Sequence, residues 1–177
     1  MDARLPPALH DAMSTRLGDG WLTGEARRPF GGDDSRRWAM PAAVALPRTQ
    51  DDVVALVRLC RAHRVPIVAR GAGTGTTGAA VPTQGGVVVS FARMDRIVDI
   101  RAADRCVVVQ PGVLNGELQQ ALAPHGLFWP PDPTSAGFCS VGGNLACNAG
   151  GPRAVKYGTS RDNVLALKAV TGTGELV

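Results

Sequence analysis

The stretch RGAGTGTTGAAVPTQGG, Arg70 to Gly86, follows directly on the apolar run Val65 to Ala69. Glycine accepts positive φ and leaves backbone N–H groups uncovered, so a loop of this kind can wrap an anion such as phosphate. Within it, Gly73-Thr74-Gly75-Thr76-Thr77-Gly78 satisfies GxGxxG, with Asp95 placed downstream like a ribose-binding acid. That motif must open a crossover helix. Here Pro82 and Gly85-Gly86 follow at once, and the next apolar run begins before the roughly 10–12 residues that a helical crossover needs. No Lys-Ser or Lys-Thr follows the glycines, which removes the P-loop as well. A backbone nest between two strands survives, beside the plainer alternative of a glycine loop with no ligand.

A second cluster lies further along the chain: Asp132-Pro133-Thr134-Ser135, Cys139-Ser140-Val141-Gly142-Gly143-Asn144, Cys147-Asn148-Ala149-Gly150-Gly151 and Tyr157-Gly158. Two glycine-rich regions far apart in sequence suit a long ligand held at both ends; turn-making alone is the other reading.

Taken together, PIVARGAGTGTTGA, WPPDPTS, CSVGGNLACNAGGPRAVKYG and RDNVLAL resemble the FAD-binding domain of the vanillyl-alcohol-oxidase-type (PCMH-type) flavoproteins. Within these the likeness is to the FAD-linked subunit of glycolate oxidase and its D-lactate and D-2-hydroxyglutarate dehydrogenase relatives. The resemblance implies an α+β fold of two lobes with FAD extended between them. It assigns the pyrophosphate segment to Ala69, Arg70, Gly71, Ala72, Gly73, Thr74, Gly75 and Gly78. The second binding stretch would be Asp132, Pro133, Thr134, Ser135, Ser140, Gly142, Gly143 and Asn144, then Asn148, Ala149 and Gly150. Tyr157 and Gly158 match a position near the flavin, although a lone tyrosine is also an ordinary core residue with a satisfied hydroxyl. Thr74 stands where covalently flavinylated relatives carry histidine, so non-covalent FAD is expected.

By the same resemblance, a D-2-hydroxy acid gives hydride to FAD and the reduced cofactor passes its electrons onward, to partner electron-transfer subunits among other acceptors. The family's catalytic histidine, metal-ligand histidines and substrate-binding arginine match nothing here, so no catalytic residue and no metal ligand are assigned. They belong to a C-terminal cap domain, and the chain is expected to be the front part of a longer protein, inactive by itself. Residues 1–46 are then an N-terminal helix and irregular segment, and 47–177 an FAD-binding domain, incomplete at its C-terminus. A different oxidase of the same superfamily, and a non-catalytic nucleotide-binding or interaction module, are the alternatives.

The composition agrees with a folded protein: 177 residues, 45% hydrophobic and 19% charged. A net charge of +4, with Arg27-Arg28 and Arg36-Arg37 interrupted by Asp33-Asp34, gives no basic stripe for nucleic acid. No signal-peptide core and no transmembrane run are present, so the expected location is the cytoplasm, with the membrane's inner face reached only through partner subunits. Cys60, Cys106, Cys139 and Cys147 show no CxxC spacing, and Cys60 and Cys106 read as small core residues. His10, His63 and His125 lie outside the glycine clusters and read as structural; no GxSxG, HExxH or carboxylate pair offers another chemistry.

The elements that must carry these loops can be placed by pattern. A helix runs from Pro6 to Leu17 and stops at Gly18, after which residues 19–48 read as irregular with Trp21, Phe30 and Trp38 as packing anchors. Thr49-Gln50-Asp51-Asp52 opens a helix whose apolar face is Val53, Leu56, Val57 and Cys60, ending near His63. Val65–Ala69 is expected as a buried strand and Gly86–Phe91 as another, while Ile97–Ile100 and Cys106–Val109 form a hairpin. Leu114, Leu118, Ala121 and Leu122 mark a further helix, closed at Pro124-His125-Gly126 before the rigid Trp129–Pro133 segment, and Val164–Val170 is expected as a last strand before a turn at Gly172-Thr173-Gly174.

Overall fold

Pro7 takes the first turn of helix α1 (Pro7–Leu17), where its missing N–H costs nothing, and Gly18 ends the helix at φ 53°. Helix α2 (Gln50–Ala62) is nucleated by a reciprocal cap. The Asp52 N–H donates to Thr49 Oγ1 at 3.2 Å, and the Thr49 N–H donates to Asp52 Oδ2 at 3.0 Å. Arg16 Nε reaches the other oxygen of Asp52 at 2.9 Å and ties α1 to α2.

The computed structural model describes residues 5–177, divided into two units: 5–93 with 168–177, and 94–167. In the first, four strands form one sheet in the order β1 (Trp21–Leu22), β2 (Ala43–Ala45), β4 (Val87–Ser90), β3 (Ile67–Arg70). β1 is antiparallel to β2, and the other pairs are parallel, with Ala43 facing Val87 and Ile67 facing Val87 from the other side. β4 is buried along its length because it lies between two neighbours. Leu9 and Met13 of α1 and Leu56 and Cys60 of α2 join Ala43, Ala45, Val87 and Val89 in one apolar cluster.

Four expectations are corrected, the first three of them in this unit. Residues 19–48 are not wholly irregular: Ala43–Ala45 is a fully buried central strand, too short and too alanine-rich to show a strand propensity. Of the three anchors, Trp21 is in the core, its indole N–H donating to His10 Nδ1 at 3.1 Å, whereas Trp38 is half exposed beneath Arg28. The strand expected at 65–69 forms at Ile67–Arg70 but as a partly exposed edge, because β4 takes the central place. Finally, Val164–Val170 is no strand. Leu165 is 86% exposed, and only Val170 pairs, in a bridge to Leu176 across the turn at 172–174; an apolar run without a partner ladder stays irregular.

In the second unit, β5 (Ile97–Arg101) and β6 (Cys106–Val109) form the expected antiparallel hairpin, with Arg105 at φ 52° in its turn. Helix α3 (Asn115–Leu122) runs into a 3₁₀ turn at Ala123–His125 that Gly126 closes in the left-handed region. Leu118, Leu122, Val113, Trp129 and Val141 make the core, on which Ile97, Ile100, Val107 and Val109 of the hairpin pack. Cys106 is only partly buried, its thiol donating to the Asp104 carbonyl at 3.2 Å, so of the two expected core cysteines only Cys60 is one.

Burial pushes the Cys60 thiol up to about 11 from its ordinary 9.0. The unfolded chain then gives up this proton first, so the stability it carries is intact below pH 9 and is lost as pH rises through about 11. The urea midpoint is expected to fall more steeply between those pH values in the native protein than in Cys60→Ala; parallel falls would contradict it.

Candidate functional site

The loop between β3 and β4 follows Arg70, whose guanidinium donates to the Gly32 carbonyl and lies 5.9 Å from the centre of the Phe30 ring. Burial lowers the pKa of this guanidinium, while Asp33 and Asp34 nearby work against that. Gly73, at φ 78°, packs on the Arg70 guanidinium, where a Cβ would collide with it. None of the consecutive backbone N–H groups from Gly71 through Ala79 meets an acceptor among the described residues. Gly75 is exposed, and a Cβ there would meet nothing within 4 Å. Ala69 and Arg70 are the last two residues of β3, and Ala72 and Thr74 lie in the loop that follows, so all the pyrophosphate residues expected from sequence lie along one continuous stretch. A run of donors without partners among the described residues, with open space at Gly75, is an arrangement that fits a diphosphate.

In the second unit the remaining candidates gather around one turn system. Asn115 Nδ2 donates to the Pro131 carbonyl at 2.9 Å, and Gln119 clasps both the N–H and the carbonyl of Trp129. This fixes the approach to Asp132. Its N–H donates to the Gly150 carbonyl at 3.0 Å, while its carboxylate accepts the Arg153 N–H at 3.2 Å and pairs with Arg153 Nε at 3.3 Å. Gly151, at φ 136°, touches Asp132 closely enough that no side chain fits. Pro133 and Ser135 carbonyls accept from Ala136, Phe138 and Cys139 in successive turns, leaving the Thr134 and Ser135 N–H groups without acceptors among the described residues.

Ser140 caps helix α4 (Val141–Ala146) by accepting the Gly143 N–H at 3.3 Å. Two adjacent glycines disfavour a helix by about 1 kcal/mol each, so the sequence carries no helix signal at this segment. Gly142 is required there by packing: a Cβ would lie 2.6 Å from that of Pro111. Asn144 is 2% exposed, and its Nδ2 has no hydrogen-bond partner among the described residues. A buried amide without an acceptor is costly, so this donor also fits a ligand atom. Asn148, at φ 51°, accepts the Arg161 N–H at 2.9 Å, the Ala149 carbonyl accepts from both the N–H and the hydroxyl of Ser160, and the Gly150 N–H is free among the described residues.

Tyr157 ends helix α5 (Ala154–Tyr157). It is not a core residue: it is 40% exposed, its ring stands edge-on to Phe128 at 5.1 Å, and its hydroxyl has no partner among the described residues. Gly158 is held at φ 80° against Asp162, whose carboxylate accepts the Thr159 N–H and hydroxyl and is thereby kept below the usual carboxylate range. No group of metal-ligating side chains and no helix able to cross a membrane occurs among the described residues.

Both units are small mixed helix-and-sheet bodies that present backbone donors without partners among the described residues. Residues 41–177 match the FAD binding domain family, and the chain belongs to it. It is 42% identical over 139 residues to the glycolate oxidase subunit GlcD of Bacillus subtilis, covering 78% of this chain and 30% of that one. It is 40% identical over 174 residues to the D-2-hydroxyglutarate dehydrogenase of Stutzerimonas stutzeri, covering 97% and 38%. The chain thus spans about a third of these relatives. Its fold matches alkyldihydroxyacetonephosphate synthase with a TM-score of 0.89 at 24% identity, over 98% of this chain and 38% of that one.

The sequence did not reveal Asp33, Asn115, Gln119 and Asp162, which hold the loops in place. Asp33 and Asp34 were legible only as a break in positive charge.

Proposed function

We propose that this chain is the FAD-holding portion of a flavin-dependent oxidoreductase that oxidises a 2-hydroxy acid of the glycolate or D-lactate type. The observation that carries the cofactor reading is the unbroken run of free N–H groups from Gly71 through Ala79. They would donate to phosphate oxygens, with Ala69 and Arg70 holding the start of the loop and Thr74 leaving FAD without a covalent link. The Thr134, Ser135 and Gly150 N–H groups and the Asn144 amide would supply further donors, Ser140, Gly142, Gly143 and Asn148 would shape the backbone that presents them, and Asp132 and Pro133 would fix its entry. The exposed face of Tyr157 beside Gly158 would meet the flavin. Bound FAD supplies a hydride acceptor.

The substrate class follows from the similarity to the glycolate oxidase subunit and the D-2-hydroxyglutarate dehydrogenase. Substrate recognition and proton removal are assigned to a C-terminal portion outside this sequence, electron delivery to partner subunits, and the site of action to the cytoplasm. Residues 47–177 are assigned as the FAD-binding domain and 1–46 as the segment leading into it.

Titrating the protein with FAD is expected to perturb the flavin absorbance and to saturate, and acid precipitation should release all the flavin. No perturbation would favour a non-catalytic module, and flavin retained in the precipitate would contradict the non-covalent reading. Glycolate or D-lactate should leave the bound flavin oxidised; bleaching by either would place a substrate site within these residues.

A further inference from the structure

The free donors of the 71–79 loop have no hydrogen bonds among themselves, so their aim must be set from outside the loop. Two anchors do this, one at each end, and both lead to the same short turn. At the start, the Arg70 guanidinium donates to the Gly32 carbonyl and lies over Phe30. At the far end, the Ala80 N–H donates to Asp33 Oδ2 at 3.3 Å. The turn is itself stiffened: Asp33 Oδ1 accepts the Ser35 N–H at 3.0 Å, the Asp33 carbonyl accepts the Arg36 N–H at 3.3 Å, and Arg36 is held in the left-handed region at φ 64°. Between the anchors, Gly78 rests against the turn, where a Cβ would stand 3.3 Å from Arg37 Cδ and 3.5 Å from Ser35 Oγ. This turn precedes residue 41, where the family match begins.

We propose that residues Phe30–Arg37 form a brace that pre-shapes the FAD diphosphate loop, with Asp33 as its positioning residue. A carboxylate in direct contact with a diphosphate would repel it. Asp33 avoids this because each of its oxygens is engaged by a backbone N–H and the Arg70 guanidinium offsets its charge. Its role is therefore to hold the end of the loop, so that binding orders fewer residues and costs less conformational entropy.

The inference rests on the FAD reading above, and its test separates the two. Asp33→Ala and Asp33→Asn would be compared with the native protein for FAD dissociation constant, for thermal midpoint without FAD, and for hydrogen exchange of the Ala80 amide without FAD. In Asp33→Ala, Ala80 exchange should speed up about tenfold or more and the dissociation constant should rise about tenfold, the size of one lost hydrogen bond to a charged acceptor. The midpoint should change little. Asp33→Asn keeps one carbonyl oxygen and should recover part of the affinity. Native affinity and native Ala80 exchange in Asp33→Ala would overturn the brace while leaving FAD binding standing. Affinity lost only in proportion to the midpoint, with no recovery in Asp33→Asn, would reduce Asp33 to a general structural role and also overturn it. Failure of the native protein to bind FAD would overturn both readings.

Discussion

Gly86→Ala is expected to destabilise the first unit by about 3–5 kcal/mol, a large share of the roughly 5–15 kcal/mol that holds a domain folded. Gly86 sits at φ 80°, and an added Cβ would lie 2.8 Å from the Pro66 carbonyl carbon and against its oxygen. Neither side can give. The Pro66 carbonyl accepts the Val87 N–H at 2.9 Å, and the Gly86 carbonyl accepts the Ala42 N–H at 2.7 Å, so both residues are pinned at the start of the sheet. Strain in a left-handed position and overpacking each cost about 1–3 kcal/mol. Gly18→Ala is the control: Gly18 has φ 53° with nothing within 4 Å of a Cβ, so it carries the backbone cost alone. Urea midpoints at constant slope measure both variants. Equal losses would show that the contact with Pro66 is relieved, contrary to this reading.

Gly73→Ala is expected to act the other way round, with a modest loss of stability and at least a tenfold loss of FAD affinity. Its Cβ would strike the Arg70 guanidinium, the far end of a flexible side chain that can swing away, so the loss of stability is mainly the left-handed backbone at φ 78°, about 1–3 kcal/mol. What swings away, however, is the anchor to the Gly32 carbonyl, and the loop's donors lose their common aim. Gly75→Ala provides the contrast, because a Cβ at that position meets no protein atom within 4 Å. Any loss of affinity there comes from blocking the ligand's approach to the backbone, with folding untouched. Flavin titration beside urea unfolding separates the two effects, and unchanged affinity in Gly73→Ala would sink the first.

Much of this was written locally in the sequence. The cap at Thr49–Asp52, the hairpin at 97–109 and the glycine-rich segments depend on neighbours a few residues away, and each appears where the pattern places it. The exclusion of a helical crossover after Gly78 also holds, since no helix lies between β3 and β4. What escaped was set by distant partners. Ala43–Ala45 is a strand because β1 and β4 flank it, and Val164–Val170 is not one because only its last residues find a partner, across the turn at 172–174. Helix α4 forms through a glycine pair because Ser140 caps it and Pro111 leaves no room for a larger residue. In the candidate site, several glycines answer to their own surroundings: Gly142 to Pro111, Gly151 to Asp132 and Gly158 to Asp162. Asp33 finds Ala80 across forty-seven positions, a link that no local pattern encodes.

The parallel pairing of β3 with β4, joined by the glycine loop instead of a helix, bears on how the chain is made. Strand β4 is inserted between β2 and β3, so on the ribosome β2 and β3 emerge with the place between them vacant. The sheet can close only once Ser90 has left the exit tunnel, and the backbone laid down just before β4 is the loop proposed above to hold the diphosphate. Until then the inner edges of β2 and β3 carry unpaired backbone, open to wrong partners in a crowded cell. FAD present during synthesis, by capturing that loop, would shorten this exposed interval, so the yield of soluble protein should rise with the flavin supply of the producing cell.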